Sequence, residues 1–158
     1  MSIESSPEPK VDGVVGEQFY INEVLICEVE SAEELSIHLS AVSEDNKRRL
    51  AFLMKSGLER LAEMLEREAR LKKTKRITVT SWIITEHSNL FRKAGFTLDN
   101  QGINYIRDIE RYKSNLENIP PEKRGVEPER AIISREELVK RYRRSPFILK
   151  NLKEERYY

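Results

Sequence analysis

Hydrophobic positions change their period along the chain, and each change marks an element. From Gln18 to Glu30, the residues Phe19, Ile21, Leu25, Cys27 and Val29 fall on one side of an extended chain. Tyr20, Val24 and Ile26 make the other side partly apolar, so this stretch reads as one strand covered on both faces. Leu35, Ile37, Leu39 and Ala41 then alternate with Ser36, His38 and Ser40, which predicts a second strand. The link Ser31 to Glu34 is short enough to make the two an antiparallel hairpin.

The period then lengthens. Leu50, Met54, Leu58, Leu61 and Leu65 recur every three or four residues and predict a helix over Glu44–Lys72, about 43 Å long, with Ser43 as its N-cap. Glu63–Arg67, Glu66–Arg70 and Glu68–Lys72 are favourable i,i+4 pairs, and Ser56-Gly57 is a place to kink. Ile77 to Ile84 holds Thr78, Val79, Thr80, Trp82 and Ile83, strong strand formers on both faces, and predicts a central strand. Strand, long helix, strand is a crossover unit, so its two strands are expected to be parallel.

A short helix over Ser88–Ala94 closes on Gly95, and Phe96–Leu98 returns to extended chain before a turn at Asp99–Gly102. In Ile103–Leu116, Tyr105, Ile109, Tyr112 and Leu116 are spaced 4, 3 and 4, which favours helix over strand. Three prolines and a glycine make Ile119–Glu129 a loop, and residues 117–133 are expected to be a linking loop. Ser134 and Glu137 form a capping box that opens a helix, which Ser145-Pro146 ends. The expected organisation is a leader over 1–13, an α/β core over 14–116, the loop, and a C-terminal helix with a basic tail over 134–158. The expected fold class is α/β. Its sheet is small and mixed, with an N-terminal antiparallel hairpin, a long crossover helix and a C-terminal helix.

Composition narrows the classes. The chain has 158 residues with 35% charged, and a single cysteine, Cys27, excludes a disulfide scaffold. No apolar run approaches a membrane span, and no apolar segment succeeds the N-terminus as a secretory signal would, so a cytoplasmic location is expected. The net charge of +1 hides an asymmetry. Residues 1–34 carry nine acids against Lys10, a local net of −8, while residues 135–158 carry +4. Charge separated in this way can attract a protein partner or drive self-association, with Arg141, Arg143, Arg144, Phe147 and Leu149 as candidate contacts. The Lys140–Arg144 run mixes bases with Tyr142, which also fits a phosphate backbone, so nucleic acid is a possible partner.

Candidate chemistry is sparse. His38 lies mid-strand on the polar side of the hairpin, a workable place for a general base, with Glu28 as a second candidate. Cys27 and His38 share the hairpin and are a formal nucleophile–base pair. His38 and His87 lie in no metal-spaced motif, so no metal is expected. Neither a P-loop nor a G-x-G-x-x-G fingerprint occurs.

Arg76–Ile84 (RITVTSWII) and then Leu90–Phe96 (LFRKAGF), after a hairpin and a long helix, resemble the C-terminal part of GNAT-type acyltransferases over residues 17–98. Ala131–Tyr142 is more weakly similar to tails of such proteins. The resemblance implies an acyl-CoA cofactor such as acetyl-CoA, held by backbone after the second strand, at Ala41, Val42, Ser43 and Asn46. The family's glycine-containing phosphate loop is missing there, since Val42–Lys47 reads VSEDNK. Phe91 stands where the family often has a tyrosine acid. Three functions are expected from this. The first is a non-catalytic GNAT-like interaction module that binds a protein through polarised charge. The second is a divergent acyl-CoA-dependent N-acyltransferase using His38 or Glu28. The third is a nucleic-acid-binding accessory protein acting through its basic C-terminus.

Overall fold

A computed structural model of the chain describes residues 14–39 and 47–143. Six strands form one sheet in the order β1-β2-β3-β4-β6-β5. The strands are β1 (Gln18–Tyr20), β2 (Leu25–Val29), β3 (Glu34–Leu39), β4 (Arg76–Ser81), β5 (Thr97–Leu98) and β6 (Glu129–Ser134). Only β3 and β4 are parallel, and the remaining pairs are antiparallel. The helices are α1 (Lys47–Arg67), α2 (Trp82–Glu86), α3 (Ser88–Lys93), α4 (Ile103–Lys113) and α5 (Arg135–Tyr142). The fold is therefore mixed α/β with a mostly antiparallel sheet, and α1 supplies the crossover between β3 and β4.

Several boundaries differ from the sequence expectation, each for a local reason. The single strand expected over Gln18–Glu30 is two strands folded on each other. Asn22 makes the turn, because its Oδ1 accepts from the Val24 and Leu25 amides at 2.9 Å each. Its Nδ2 donates to the Leu53 carbonyl at 2.8 Å, which fastens that turn to α1. Gly57 does not split α1, which runs unbroken from Lys47 to Arg67. A Cβ there would stand 3.0 Å from Asn22 Nδ2 and 3.1 Å from Leu25 Cδ1, so glycine lets the helix approach the turn closely. The helix ends at Arg67, and Ala69–Leu71 continues as a 3₁₀ turn. The expected N-cap at Ser43 lies outside the described residues.

Trp82, Ile83 and Ile84 are helical, not part of the strand. Ser81 caps the start of α2 by accepting from the Ile83 amide at 3.0 Å, and this overrides the β propensity of the run. Gly95 succeeds α3 with φ of 107°, as expected of a residue that ends a helix. Ile103–Lys113 is helix, in agreement with its periodicity. The larger correction is β6. Part of the expected 117–133 loop is a strand inserted between β4 and β5, antiparallel to both. Half of the expected capping box is present: Ser134 accepts from the Glu137 amide at 3.0 Å and starts α5, while the Glu137 carboxylate takes a bond from Arg141.

The two faces of the sheet are unlike. On one face, Leu25, Cys27, Val29, Leu35, Ile37, Ile77, Val79, Ala131 and Ile133 are buried in one cluster with Leu50, Met54, Leu58, Leu61 and Leu65 of α1 and Leu138 of α5. Arg135 ties α5 to the end of α1 by donating to the carbonyls of Leu65, Leu71 (2.7 Å) and Thr74 (3.2 Å). On the other face the alternation presents Glu28, Ser36, His38, Thr78 and Arg130, and α4 crosses this polar surface. No helix of the described residues is long and apolar enough to cross a membrane.

Candidate functional site

Polar side chains on a sheet face must be satisfied or left in water. Here one part of the face is satisfied by α4 and another part stays open. The covered part centres on Arg130, whose side chain is 2% exposed. Its Nε donates to Asp108 Oδ2 of α4 at 2.8 Å, and its Nη1 donates to Asp99. Glu34, also buried, lies 3.9 Å from Arg130, 3.5 Å from Arg107 and 3.5 Å from Arg76. Arg107 donates to Asp108 at 2.9 Å, and this bond is the main reason its pKa is raised. Such a network holds α4 through charge; Ile109 of that helix is buried, while Ile103 and Ile106 are exposed.

Beside this network lies a cleft of about 410 Å³. Its floor is the β2–β3 hairpin and β4, with Glu28, Glu30, Ser36, His38, Thr78 and Thr80. Its wall is α4 and the segment just after that helix, with Asp108, Arg111, Tyr112 and Asn115, and Trp82 lines it as well. His38 Nε2 donates to Glu28 Oε1 at 2.9 Å, and the imidazole is about half exposed, at 49%. With Nε2–H held on a carboxylate, Nδ1 is the ring nitrogen that accepts in the neutral tautomer. Glu30 is held from both sides: Ser36 donates to its Oε2 at 2.8 Å and Arg111 to its Oε1 at 2.7 Å. The bond to Glu30 is the largest cause of the raised Arg111 pKa, ahead of the opposing effect of burial. Arg111 also reaches Asp108 at 3.5 Å, which joins the cleft to the network beneath α4. Tyr112 Oη accepts from the Trp82 amide at 3.1 Å.

The charges of cleft and network together are unequal. Six carboxylates (Glu28, Glu30, Glu33, Glu34, Asp99, Asp108) meet four guanidinium groups (Arg76, Arg107, Arg111, Arg130) and one ammonium group (Lys75). With His38 neutral, one negative charge is in excess, and the Glu28 end carries it, because no arginine pairs with Glu28 among the described residues. The chemistry this arrangement favours is capture of a cation or of a group that gives up a proton.

The sequence-derived candidates fall into three groups. His38 and Glu28 are brought together, on neighbouring strands of one face. Cys27 and His38 are not a pair: strand alternation puts Cys27 on the opposite face, fully buried, where desolvation raises its pKa to about 12. Phe91 is buried and packs edge-on against Phe96 at 5.9 Å between ring centres, so that position faces core and not the cleft. Ala41, Val42, Ser43 and Asn46 lie outside the described residues, as do Arg144, Phe147 and Leu149. Arg141 is bonded to Glu137 at 2.6 Å, and Arg143 lies 3.2 Å from Glu66.

The acidic N-terminal segment is likewise engaged within the chain. Glu17 pairs with Arg70, Glu23 with Arg49 at 2.9 Å, and Glu33 with Lys75 at 3.5 Å. The partners come from the middle of the chain rather than its C-terminal end, so among the described residues the charge asymmetry joins segments of one fold. Sequence reading missed Glu30, Arg111, Asp108 and Arg130. The signal for the first was present, since Glu28 and Glu30 share a strand face with Ser36 and His38 across the hairpin. The fold also places ligand atoms of Glu28, Glu30 and His38 within 4.8 Å of one another, a proximity that linear spacing does not reveal. No protein-family model matches the chain, and neither a curated protein nor a solved structure does.

Proposed function

We propose that the chain is a GNAT-like domain that works through the polar cleft, as a divergent acyl-CoA-dependent N-acyltransferase acting on a small amine. The observation that carries this reading is the Glu28–His38 pair inside a cleft with one excess negative charge. A cationic amine is drawn by that charge, and Nδ1 of His38 accepts its proton while Glu28 holds the ring in place. Tyr112, on the opposite wall, accepts at Trp82, which leaves its O–H to donate into the cleft. It is the candidate acid in place of the buried Phe91. The parallel β3–α1–β4 crossover supports the family part of the reading. A cleft of about 410 Å³ suits the amine and the reactive end of an acyl thioester, not a whole CoA. The rest of that molecule would have to extend toward residues 40–46.

Calorimetry with acetyl-CoA on the full chain is the test. Micromolar binding, with amine-dependent release of thiol that His38→Ala lowers at least about a hundredfold, supports the reading. No binding at millimolar acetyl-CoA ends it.

A second reading, the non-catalytic interaction module, is favoured by one observation: the position expected to supply a tyrosine acid is a core phenylalanine. It predicts no acetyl-CoA binding and a protein partner or self-association. Much of the charge that motivated it is paired within the fold, which weakens it. The same pairing of Arg141 and Arg143 weakens the nucleic-acid reading. A flat salt dependence of DNA or RNA binding would sink that one.

A further inference from the structure

We propose that Glu28, Glu30 and His38 form a site for one divalent first-row transition-metal ion, with Zn²⁺ as the probe. Their ligand atoms lie within 4.8 Å of one another, close enough for one ion to reach all three. The donor set is one imidazole and two carboxylates. It suits zinc and its neighbours better than magnesium or calcium, which prefer all-oxygen shells. Glu28 and His38 stand on two paired strands, with Ile26 opposite His38 and Ser36 opposite Glu28, and Glu30 comes just after β2 with its amide bonded to the Glu34 carbonyl at 2.9 Å, so the backbone holds their spacing. Supporting contacts already orient the carboxylates: Ser36 donates to Glu30 at 2.8 Å, and Gln18 to Glu28 at 3.4 Å. The excess negative charge sits at the same end of the cleft. Three protein ligands would leave a coordination position open toward the cleft, as in catalytic rather than structural zinc sites.

The ion has one built-in competitor. Arg111 bonds Glu30 at 2.7 Å and must yield that oxygen, whereas Asp108 gives it an alternative partner at 3.5 Å. A cation between His38 and Glu28 also replaces the proton they share. Metal binding and use of His38 as a base are therefore mutually exclusive, and Zn²⁺ is expected to inhibit any acyl transfer at this cleft. The site does not depend on the acyltransferase reading, because it requires neither CoA nor an amine.

The test is calorimetric titration of the full chain with Zn²⁺ at neutral pH, without CoA. The expected result is one ion per chain with micromolar affinity. His38→Ala and Glu28→Gln should each weaken it by about tenfold or more. Arg111→Met should tighten it severalfold, since it removes the competitor for Glu30. Circular dichroism confirms that each variant is folded. If Arg111→Met does not fold, Glu30→Gln replaces it and should weaken binding. The absence of a one-to-one isotherm in the parent overturns the proposal. So does a His38→Ala variant that binds as tightly as the parent, because the zinc then sits elsewhere, for example at His87. An unchanged affinity in the Arg111 variant, or in Glu30→Gln, removes Glu30 from the ligand set and with it the three-ligand site.

Discussion

The two faces of the sheet are held by different forces. Under α1 and α5 the contact is chiefly apolar, with Leu25, Leu35, Leu58, Leu61 and Ile77 fully buried. Under α4 the contact is largely ionic: Arg130 donates to Asp108 at 2.8 Å and lies 3.9 Å from Glu34, near the floor of the cleft. Apolar burial contributes stability without regard to orientation. A buried ion network contributes little net stability, because desolvation offsets most of its attraction, but it fixes which groups stand where. The first face builds the domain, and the second positions a cleft. That division matches the demands of a site, where charged groups must be held without being neutralised by water.

The comparison can be broken most sharply at Arg130. Arg130→Ala removes the bonds to Asp108 and Asp99 from a buried site, while Arg107 and Arg111 still face Asp108 and Arg76 and Arg107 still face Glu34, and is expected to cost about 3 kcal/mol in urea unfolding. A loss below about 1 kcal/mol would mean that α4 is not held as described. On the apolar face, Leu58→Ala is expected to cost about 2–5 kcal/mol by lost burial and the cavity left behind. The two variants should also differ in their response to salt. The Leu58→Ala loss is expected to stay nearly constant between low and high ionic strength, while screening reaches the partly exposed ends of the Arg130 network.

Cys27 sharpens the same contrast through pH. Burial on the apolar face raises its pKa from 9.0 to about 12, so the folded state resists forming the thiolate. The stability linked to this thiol is present below pH 9 and is lost as pH rises from 9 toward 12. Thiol-directed reagents at pH 8 are accordingly expected to leave Cys27 unmodified in the native chain and to react after denaturation. Fast native labelling would show that this face opens. The smallest effect belongs to the surface. Arg143→Ala removes an exposed pair with Glu66 and is expected to cost no more than about 1 kcal/mol.

The same division separates the legible residues from the hidden ones. Most of the apolar face was legible: Phe19, Ile21, Leu25, Cys27, Val29, Leu35 and Ile37 of the hairpin and the leucines spaced along α1 are buried, while Leu39 is partly buried and Ala41 lies outside the described residues. The helical reading of Ile103–Lys113 held because its period was 3.6-like over three turns. Errors cluster where a side chain overrides propensity. Asn22 folds one expected strand into two, and Ser81 turns a β-rich run into helix. The strand β6 was hidden because it comes straight after a stretch with three prolines and a glycine and carries Arg130, a charge that reads as loop until its partners are known. In the cleft, His38 and Glu28 were named from the sequence, yet their hydrogen bond was not, and neither were Glu30 and Arg111 as neighbours.

Sequence alone thus established a mixed α/β domain, the hairpin and crossover at its centre, the apolar residues of its core, and a polar strand face carrying His38. It did so because hydrophobic burial leaves a periodic trace in the chain. It established neither the partners of the charges nor the place of β6. Glu34 and Arg130 are far apart along the chain and meet across β4 under a helix from a third segment. Ion pairs of that kind obey distance and desolvation, not periodicity. The uneven charge of the linear sequence therefore looked like a surface waiting for a partner, and folding turned much of it into the frame of a cleft.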